Sequence, residues 1–233
     1  MSKQTELAQI ADTITVNSGK IGIGASSPDS RLTVQSPDNT LATDIFKFTS
    51  LNGAAGLKFG YQRIEQISAS TPITFNTGGS ESMRIDSAGR VTKPSQPAFV
   101  AHTTPSTFTN NVDIIWSATA LNRGSVYNTS NGRFTAPIAG LYQFFASVRI
   151  EHTIGTVSYH RISFRHNGSY VQSSRSQLSH RTATGYYSHC ANDQAIYLNV
   201  NDYVNVMFET GGGASSFSTA ANNEHVFYGY LIG

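Results

Sequence analysis

A single cysteine, Cys190, among 233 residues leaves no internal disulfide to form, and no Cys and His cluster has zinc-finger spacing. Packing or oligomerisation must therefore hold the chain together. Charge is scarce as well, at 13% of residues against about 25% in ordinary domains, so the polar surface has to be built from Ser, Thr, Asn, Gln and Gly. The formal net charge of +2 comes from scattered Lys and Arg with no basic run, which excludes nucleic acid as the expected partner. No segment approaches the roughly 20 apolar residues of a membrane span, and the opening stretch MSKQTELAQIADTIT is too polar for the core of a secretory signal. The expectation is synthesis in a cytoplasm without a signal peptide, and no membrane insertion.

Signals of catalysis are missing too. Gly22-Ile-Gly24 followed by Ala-Ser-Ser sits in a hairpin context with no helix after it, so it does not read as a phosphate loop. There is no Gly-x-Ser-x-Gly elbow and no convincing carboxylate pair. Cys190 falls in a predicted strand, where a small buried residue is the simpler reading than a nucleophile. His160, His166, His180 and His189 lack the tight spacing of a helical zinc motif, and the loops lack the acidic cluster calcium favours. No enzyme activity, metal or cofactor is expected, and most of these histidines read as surface residues.

What is present is all-β grammar after a short exception. Leu7, Ile10 and Ile14 recur at helical steps among Glu6, Gln9 and Asp12, predicting an amphipathic helix over about residues 1–15. So short a helix is marginal alone in water, and the segment is expected to dock on sister chains or a larger assembly. From Thr13 onward, short β-branched stretches are punctuated by Gly, Pro, Asn, Asp and Ser roughly every eight to twelve residues. One stretch recurs: Ile14-Thr-Val-Asn-Ser-Gly-Lys-Ile21 resembles Met83-Arg-Ile-Asp-Ser-Ala-Gly-Arg-Val91 with one residue inserted. Each copy reads as a hairpin whose glycine tolerates positive φ. Isolated hairpins are barely stable, so strands from three chains are expected to bury their apolar faces together.

Ile21-Gly-Ile-Gly24 with Pro28, Leu32 and Val34, then Pro72-Ile-Thr-Phe-Asn76 leading into Met83-Arg-Ile-Asp-Ser, resembles the stem repeat of phage tail and neck fibres over about residues 13–92. The second copy departs from that pattern by lacking Gly-Ile-Gly after Val91. Thr92-Lys-Pro-Ser-Gln-Pro97 follows instead, a linker composition. The expected organisation is a helical attachment segment at 1–15, a β-rich stem at 16–92, a linker at 93–97 and a β-domain at 98–233.

That last domain is dense in aromatics: Phe134, Tyr142, Phe144, Phe145, Tyr159, Phe164, Tyr170, Phe208, Phe227, Tyr228 and Tyr230. Their apolar area is expected to fill most of the core of a sandwich. Tyr142 and Phe144 share one face by the two-residue period and are expected to point inward. Gly132 permits a turn before the Phe134 strand, Pro137 suits a place where the chain leaves a sheet, and Gly140 opens the next strand. The run Asn122, Gly124, Tyr127-Asn128, Gly132-Arg-Phe134-Thr-Ala-Pro137, Gly140-Leu-Tyr142-Gln-Phe144 resembles the signature of the complement C1q globular head. Pro97-Ala-Phe99, Asn167-Gly168, Asn201-Asp202-Tyr-Val204 and Phe227-Tyr-Gly229-Tyr-Leu231 extend the resemblance over 97–233. It implies a ten-stranded jelly roll related to tumour necrosis factor, assembled as a homotrimer with both chain ends at the base. No Gly-X-Y collagen run occurs, so the carrier is not C1q's.

Three functions follow from the two resemblances. The leading one is a trimeric tail or neck fibre of a virion, with Leu7, Ile10 and Ile14 attaching to other virion proteins and the head contacting a host glycan or protein. The alternatives are a structural fibre cap with no receptor, and a polysaccharide-degrading tailspike, for which so short a stem leaves little room. If strands alternate from a base holding Pro97 and Gly233, the expected apical set is Glu151 to Ser158, Asn199 to Asp202 and Ala220 to Glu224. The loop from Ser173 to Tyr186 is expected on the basal side or flank. His152, Thr153, Asn222, Asn223 and Glu224 offer hydrogen-bonding groups for sugar hydroxyls, with Tyr159 available to stack. Three copies around one axis would add avidity.

Overall fold

The computed structural model describes residues 14–17, 20–23, 32–34, 44–49, 56–60, 63–66, 70–103, 107–152, 159–179, 186–211, 216–218 and 224–233, and all regular structure within them is β. Contacts divide the chain into two units, Met1–Pro94 and Ser95–Gly233. Leu7 and Ile10 of the expected helix lie outside the described residues. Ile14 does not belong to that helix: it opens a strand, because Ile14-Thr-Val alternates with β-branched residues that favour a pleated surface.

The first unit holds three small sheets. β1 (Ile14–Asn17), β2 (Lys20–Ile23) and β3 (Leu32–Val34) form one, with β2 and β3 parallel. β4 (Asp44–Thr49), β5 (Gly56–Gly60) and β6 (Arg63–Gln66) form the second. β7 (Ile73–Thr77), β8 (Ser80–Ile85) and β9 (Val91–Thr92) form the third. The recurrent motif is visible in the register. Val16 pairs with Ile21 across β1 and β2, and Ile85 pairs with Val91 across β8 and β9, matching the two copies once the inserted residue is allowed. In the second copy the Asp86 carboxylate closes the turn, its Oδ1 accepting from the N–H groups of Ala88 and Arg90 at 2.9 Å each.

The second unit is a two-sheet sandwich. Its strands are β10 (Ala98–Thr103), β11 (Thr107–Thr109), β12 (Val112–Asp113), β13 (Ala118–Arg123), β14 (Tyr127–Asn128), β15 (Arg133–Thr135) and β16 (Gly140–His152). They continue with β17 (Tyr159–His166), β18 (Ser169–Ser179), β19 (Tyr186–Leu198), β20 (Tyr203–Gly211), β21 (Ser216–Ser218) and β22 (His225–Leu231). One sheet has the order β13-β10-β22-β16-β19. The other has the order β14-β15-β20-β17-β18 with β12 also on β20, and β11 and β21 pair as a ribbon.

Alternation along the strands decides what lies between the sheets. Tyr142, Phe144, Ala146, Val148 and Ile150 of β16 are all fully buried, as are Phe164, Phe208 and Phe227. Phe99 stacks on Tyr127 with ring centroids 4.9 Å apart and meets Phe227 edge-on at 4.8 Å. Phe134 packs on both Tyr142 and Phe144 at 5.1 Å. Not every expected core aromatic joins them. Phe145 neighbours Phe144 and so points to the opposite face, where it stacks on Tyr228 at 5.1 Å. Tyr170 and Tyr230 are exposed, and both belong to outer faces.

The signature residues act at the crossing between sheets. Gly132 adopts φ +72° before β15. Pro137 lies between β15 in one sheet and β16 in the other, where its missing N–H leaves no ladder unfilled. Ala136 N–H donates to the Asp202 carbonyl and Asn201 N–H to the Ala136 carbonyl, both at 2.8 Å, tying that crossing to the turn before β20.

Candidate functional site

The strand directions define two ends of the sandwich. Leu231 N–H donates to the Pro97 carbonyl at 3.1 Å and Leu141 N–H to the Gly233 carbonyl at 2.9 Å, so the beginning and end of this unit meet at one end, the proximal one. β16 leaves that end, β17 returns, the Asn167-Gly168 turn reverses the chain, β18 leaves again and β19 returns to pair Leu198 with Gly140. The turn from Asn199 to Asp202 is therefore proximal, not apical as expected. Of the loop expected from Ser173 to Tyr186 on the base side or flank, Ser173–Ser179 belong to β18 and Tyr186 opens β19, and the strand ends at Ser179 and Tyr186 face the distal end. The strand ends at His152, Tyr159, Ser179, Tyr186, Gly211 and His225 all face the distal end.

Of the expected receptor residues, Thr153, Asn222 and Asn223 lie outside the described residues. His152 ends β16 opposite Tyr186. Tyr159 opens β17, half-buried, with the Arg161 guanidinium 5.1 Å from its ring centroid. Glu224 is exposed yet engaged: its Oε2 lies 2.9 Å from Arg149 Nη1 and 3.7 Å from His189 Nε2. Arg149 also stacks at 3.8 Å over the Tyr187 ring. His152, Tyr159 and Glu224 all lie toward the distal end, but Tyr159 is on the outer side of one sheet with Arg161, and Glu224 is on the outer side of the other with Arg149, where a salt bridge already occupies its carboxylate.

The turn at the proximal end is a structural station. Asp202 accepts from Asn167 Nδ2 at 2.6 Å and from Asn199 N–H at 2.8 Å, and lies 3.0 Å from His166 Nε2. The Asn167 amide, then the Asn199 N–H and His166, hold its carboxyl down to about 2. Of the four histidines read mostly as surface residues, His160 is fully buried and stacked near Phe208. Cys190 is buried with Sγ 3.1 Å from the Ser176 carbonyl, and burial pushes its thiol up. Among the described residues no three His, Cys, Asp or Glu side chains gather as metal ligands would.

The two outer faces differ in kind. On the five-stranded sheet, register places Val100 beside Tyr228 and Leu121, Tyr228 beside Phe145, and Tyr230 beside Gln143. Leu121, Tyr230 and Tyr197 on that face are 38%, 45% and 62% exposed. The opposite sheet carries charge. Arg161 makes a bidentate pair with Glu209, Nε to Oε2 at 2.9 Å and Nη2 to Oε1 at 2.7 Å. Arg165 Nη1 meets Asp113 Oδ1 at 2.9 Å. Tyr170 donates to Glu209 Oε1 at 3.1 Å. Burial alone would raise the Glu209 carboxyl, but Arg161, Tyr170 and Ser163 together leave it lowered. Sequence reading named Tyr170 only as a core aromatic and missed this network. The available signal was the alternation of Arg161, Ser163 and Arg165 along one strand.

Two antiparallel sheets packed face to face, with the first and last residues of the unit meeting at one end, define a jelly-roll domain. Residues 98–232, more than half of the chain, match the family model of the C1q domain, and the chain belongs to that family. Similar solved structures include the globular domain of zebrafish complement 1qA protein, at 15% identity and TM-score 0.46 over 59% of this chain and 98% of that one. Eiger TNF from S. frugiperda is 10% identical with TM-score 0.48 over 60% and 94% of the two chains. Murine APRIL is 14% identical with TM-score 0.44 over 58% and 98%. No curated protein matches the chain.

Proposed function

We propose that the chain is a homotrimeric virion fibre protein, of a phage tail or neck, whose C1q-type head binds a host surface receptor, a glycan, without catalysis. The observation that carries the trimer is the apolar outer face of the five-stranded sheet. Val100, Leu121, Leu141, Phe145, Tyr197, Tyr228 and Tyr230 share it, and a protomer in water would leave that area uncovered. The first unit supports the same reading, since Ile14, Val16, Ile21, Ile23, Ile64, Phe75 and Val91 are all exposed in the single chain. A threefold assembly would turn such faces inward. The stem resemblance supports the virion context, with residues before β1 as the attachment segment and the host cytoplasm as the place of synthesis. The distal strand ends, with His152, Tyr159 and Glu224, carry the receptor reading.

Light scattering on the full chain tests the assembly. Three chain masses are expected, and Phe145→Glu, which sets charge against the Tyr228 ring, should return one. A single chain mass for the unmodified protein overturns the trimer. Labelled trimer should then bind a panel of bacterial cells and lose that binding after periodate oxidation of surface glycans. A trimer of the right mass that binds no cell leaves the structural fibre cap.

A further inference from the structure

From Ser95 to Gly233 the sequence holds seven arginines and no lysine. Four of them, Arg133, Arg161, Arg165 and Arg175, lie on the outer face of the sheet containing β15, β20, β17 and β18, against the carboxylates Asp113 and Glu209. Those two carboxylates pair with Arg165 and Arg161. Among the described residues no carboxylate pairs with Arg133 or Arg175, so the face keeps an excess of positive charge. Both guanidiniums are instead laid on tyrosine rings, Arg133 at 4.0 Å from the Tyr203 centroid and Arg175 at 4.5 Å from the Tyr170 centroid.

Stacking of this kind spends the flat face of a guanidinium and none of its N–H groups, which all lie in the plane. It therefore fixes the fork while leaving it free to take a planar acceptor. Beside Arg175 the strand departs from its neighbour. Arg165 pairs with Tyr170, whereas Ser163 pairs with Arg175, so β18 bulges between them. The bulge leaves a hollow of about 290 Å³ lined by Tyr170, Val171, Gln172 and Arg175. Tyr170 is 40% exposed there and Gln172 is exposed. A hollow with an aromatic edge, an amide and an unpaired guanidinium has the size and polarity for one sugar ring carrying a carboxylate.

We propose that this hollow on the flank of the head binds an acidic saccharide, with Arg175 taking the carboxylate in a bidentate grip and Gln172 and the Tyr170 ring holding the pyranose. The proposal rests on the reading of the head as a glycan-binding module, and it moves the point of contact from the distal end to the flank. Arg133 on Tyr203 offers a second cation on the same face for a longer chain.

The test is calorimetric titration of the full chain with tetragalacturonate and tetrasialic acid, beside the fully methyl-esterified tetragalacturonate and tetraglutamate. Binding of at least one acidic saccharide is expected, with at least tenfold weaker binding of the ester and of tetraglutamate. Arg175→Gln should abolish it and Arg175→Lys should weaken it at least tenfold, since lysine keeps the charge and loses the fork. Both variants must retain the oligomeric mass of the parent, which an exposed residue allows. Binding to neither acidic saccharide overturns the proposal, as does binding unaffected by Arg175→Gln or equalled by tetraglutamate. If the full chain binds cells through glycans while those results hold, the receptor reading survives and the flank site alone falls.

Discussion

Replacing Gly132 by alanine separates two contributions that usually arrive together. Gly132 has φ +72° and Gly168 has φ +83°, so alanine at either incurs the left-handed backbone penalty of about 1–2 kcal/mol. The surroundings differ. A Cβ on Gly132 would sit 2.5 Å from the Ile114 carbonyl oxygen and 3.3 Å from Ile115 Cα. That backbone is itself fixed, because Ile114 N–H donates to the Val206 carbonyl at 2.8 Å. On Gly168 the nearest atoms are side-chain ends, Tyr203 Oη at 3.3 Å and Arg165 Nη2 at 3.6 Å, which can move aside. Overpacking against unyielding structure adds about 1–3 kcal/mol, so Gly132→Ala should lose about 2–5 kcal/mol and Gly168→Ala about 1–2. At roughly 2–4 °C per kcal/mol for a chain of this size, the added overpacking should make Gly132→Ala melt at least about 2 °C below Gly168→Ala. Trp116 is the only tryptophan and is fully buried in this unit, so its fluorescence follows the transition, with all chains at one concentration. Asparagine completes the series: Asn111, Asn167 and Asn201 already adopt positive φ, so Gly168→Asn should sit near the parent while Gly132→Asn stays low. Equal melting of the two alanine variants would refute the close contact and leave torsion as the whole effect.

The remaining expectations concern acid and thiol chemistry. Asp202, held down to about 2 by Asn167, Asn199 and His166, and Glu209, also lowered, both have folded values below the unfolded carboxyl range near 4. Their stabilisation is complete above about pH 5 and is lost as pH falls through 4 toward 2. Asp202→Asn should flatten that limb of a pH series of Trp116 melts, and an unchanged slope would discard Asp202 as a contributor. Cys190 should react with a disulfide reagent about a hundredfold more slowly in the native protein than in denaturant, since burial raises its thiol and shields it. Immediate labelling of the native chain would contradict its place between the sheets.

How far the sequence could be read follows from where the information sits. The Gly132 turn, the Pro137 crossing, the inward pair Tyr142 and Phe144, and the Asn167-Gly168 turn were legible because each is a local rule of φ, a missing N–H or a period of two. The first-unit hairpins were legible for the same reason, through a repeated run of residues. Loop placement was not local. It depended on summing every reversal along the unit, and that sum, rather than any local rule, puts Asn199–Asp202 at the proximal end. Core membership failed at Phe145, Tyr170, Tyr228 and Tyr230 because aromatic density says nothing about which face an aromatic takes. Period alone could have separated Phe145 from Phe144. The Arg161, Glu209 and Tyr170 network was hidden further, since its members come from three strands joined only by register. Of the expected receptor set, His152, Tyr159 and Glu224 are placed at the distal end, whereas Thr153, Asn222 and Asn223 lie outside the described residues.

The sandwich has two outer faces and one crowded interior, and their chemistry divides the work. Both inner faces contribute to a single aromatic core, so neither sheet has spare apolar surface there to offer a partner. The five-stranded sheet nevertheless repeats the apolar choice on its outer side, at Val100, Phe145 and Tyr228, where a solvated antiparallel sheet would alternate to polar residues. The other sheet does alternate, and it fills its outer side with arginine, tyrosine and two carboxylates. The proposed trimer would use this difference, burying the apolar outer side of the five-stranded sheet and leaving the charged outer side of the other sheet in solvent. About a threefold axis the contacts are heterologous, one part of that face meeting a different part on the next protomer, so the Arg–Tyr faces of the proposed trimer would stay in solvent.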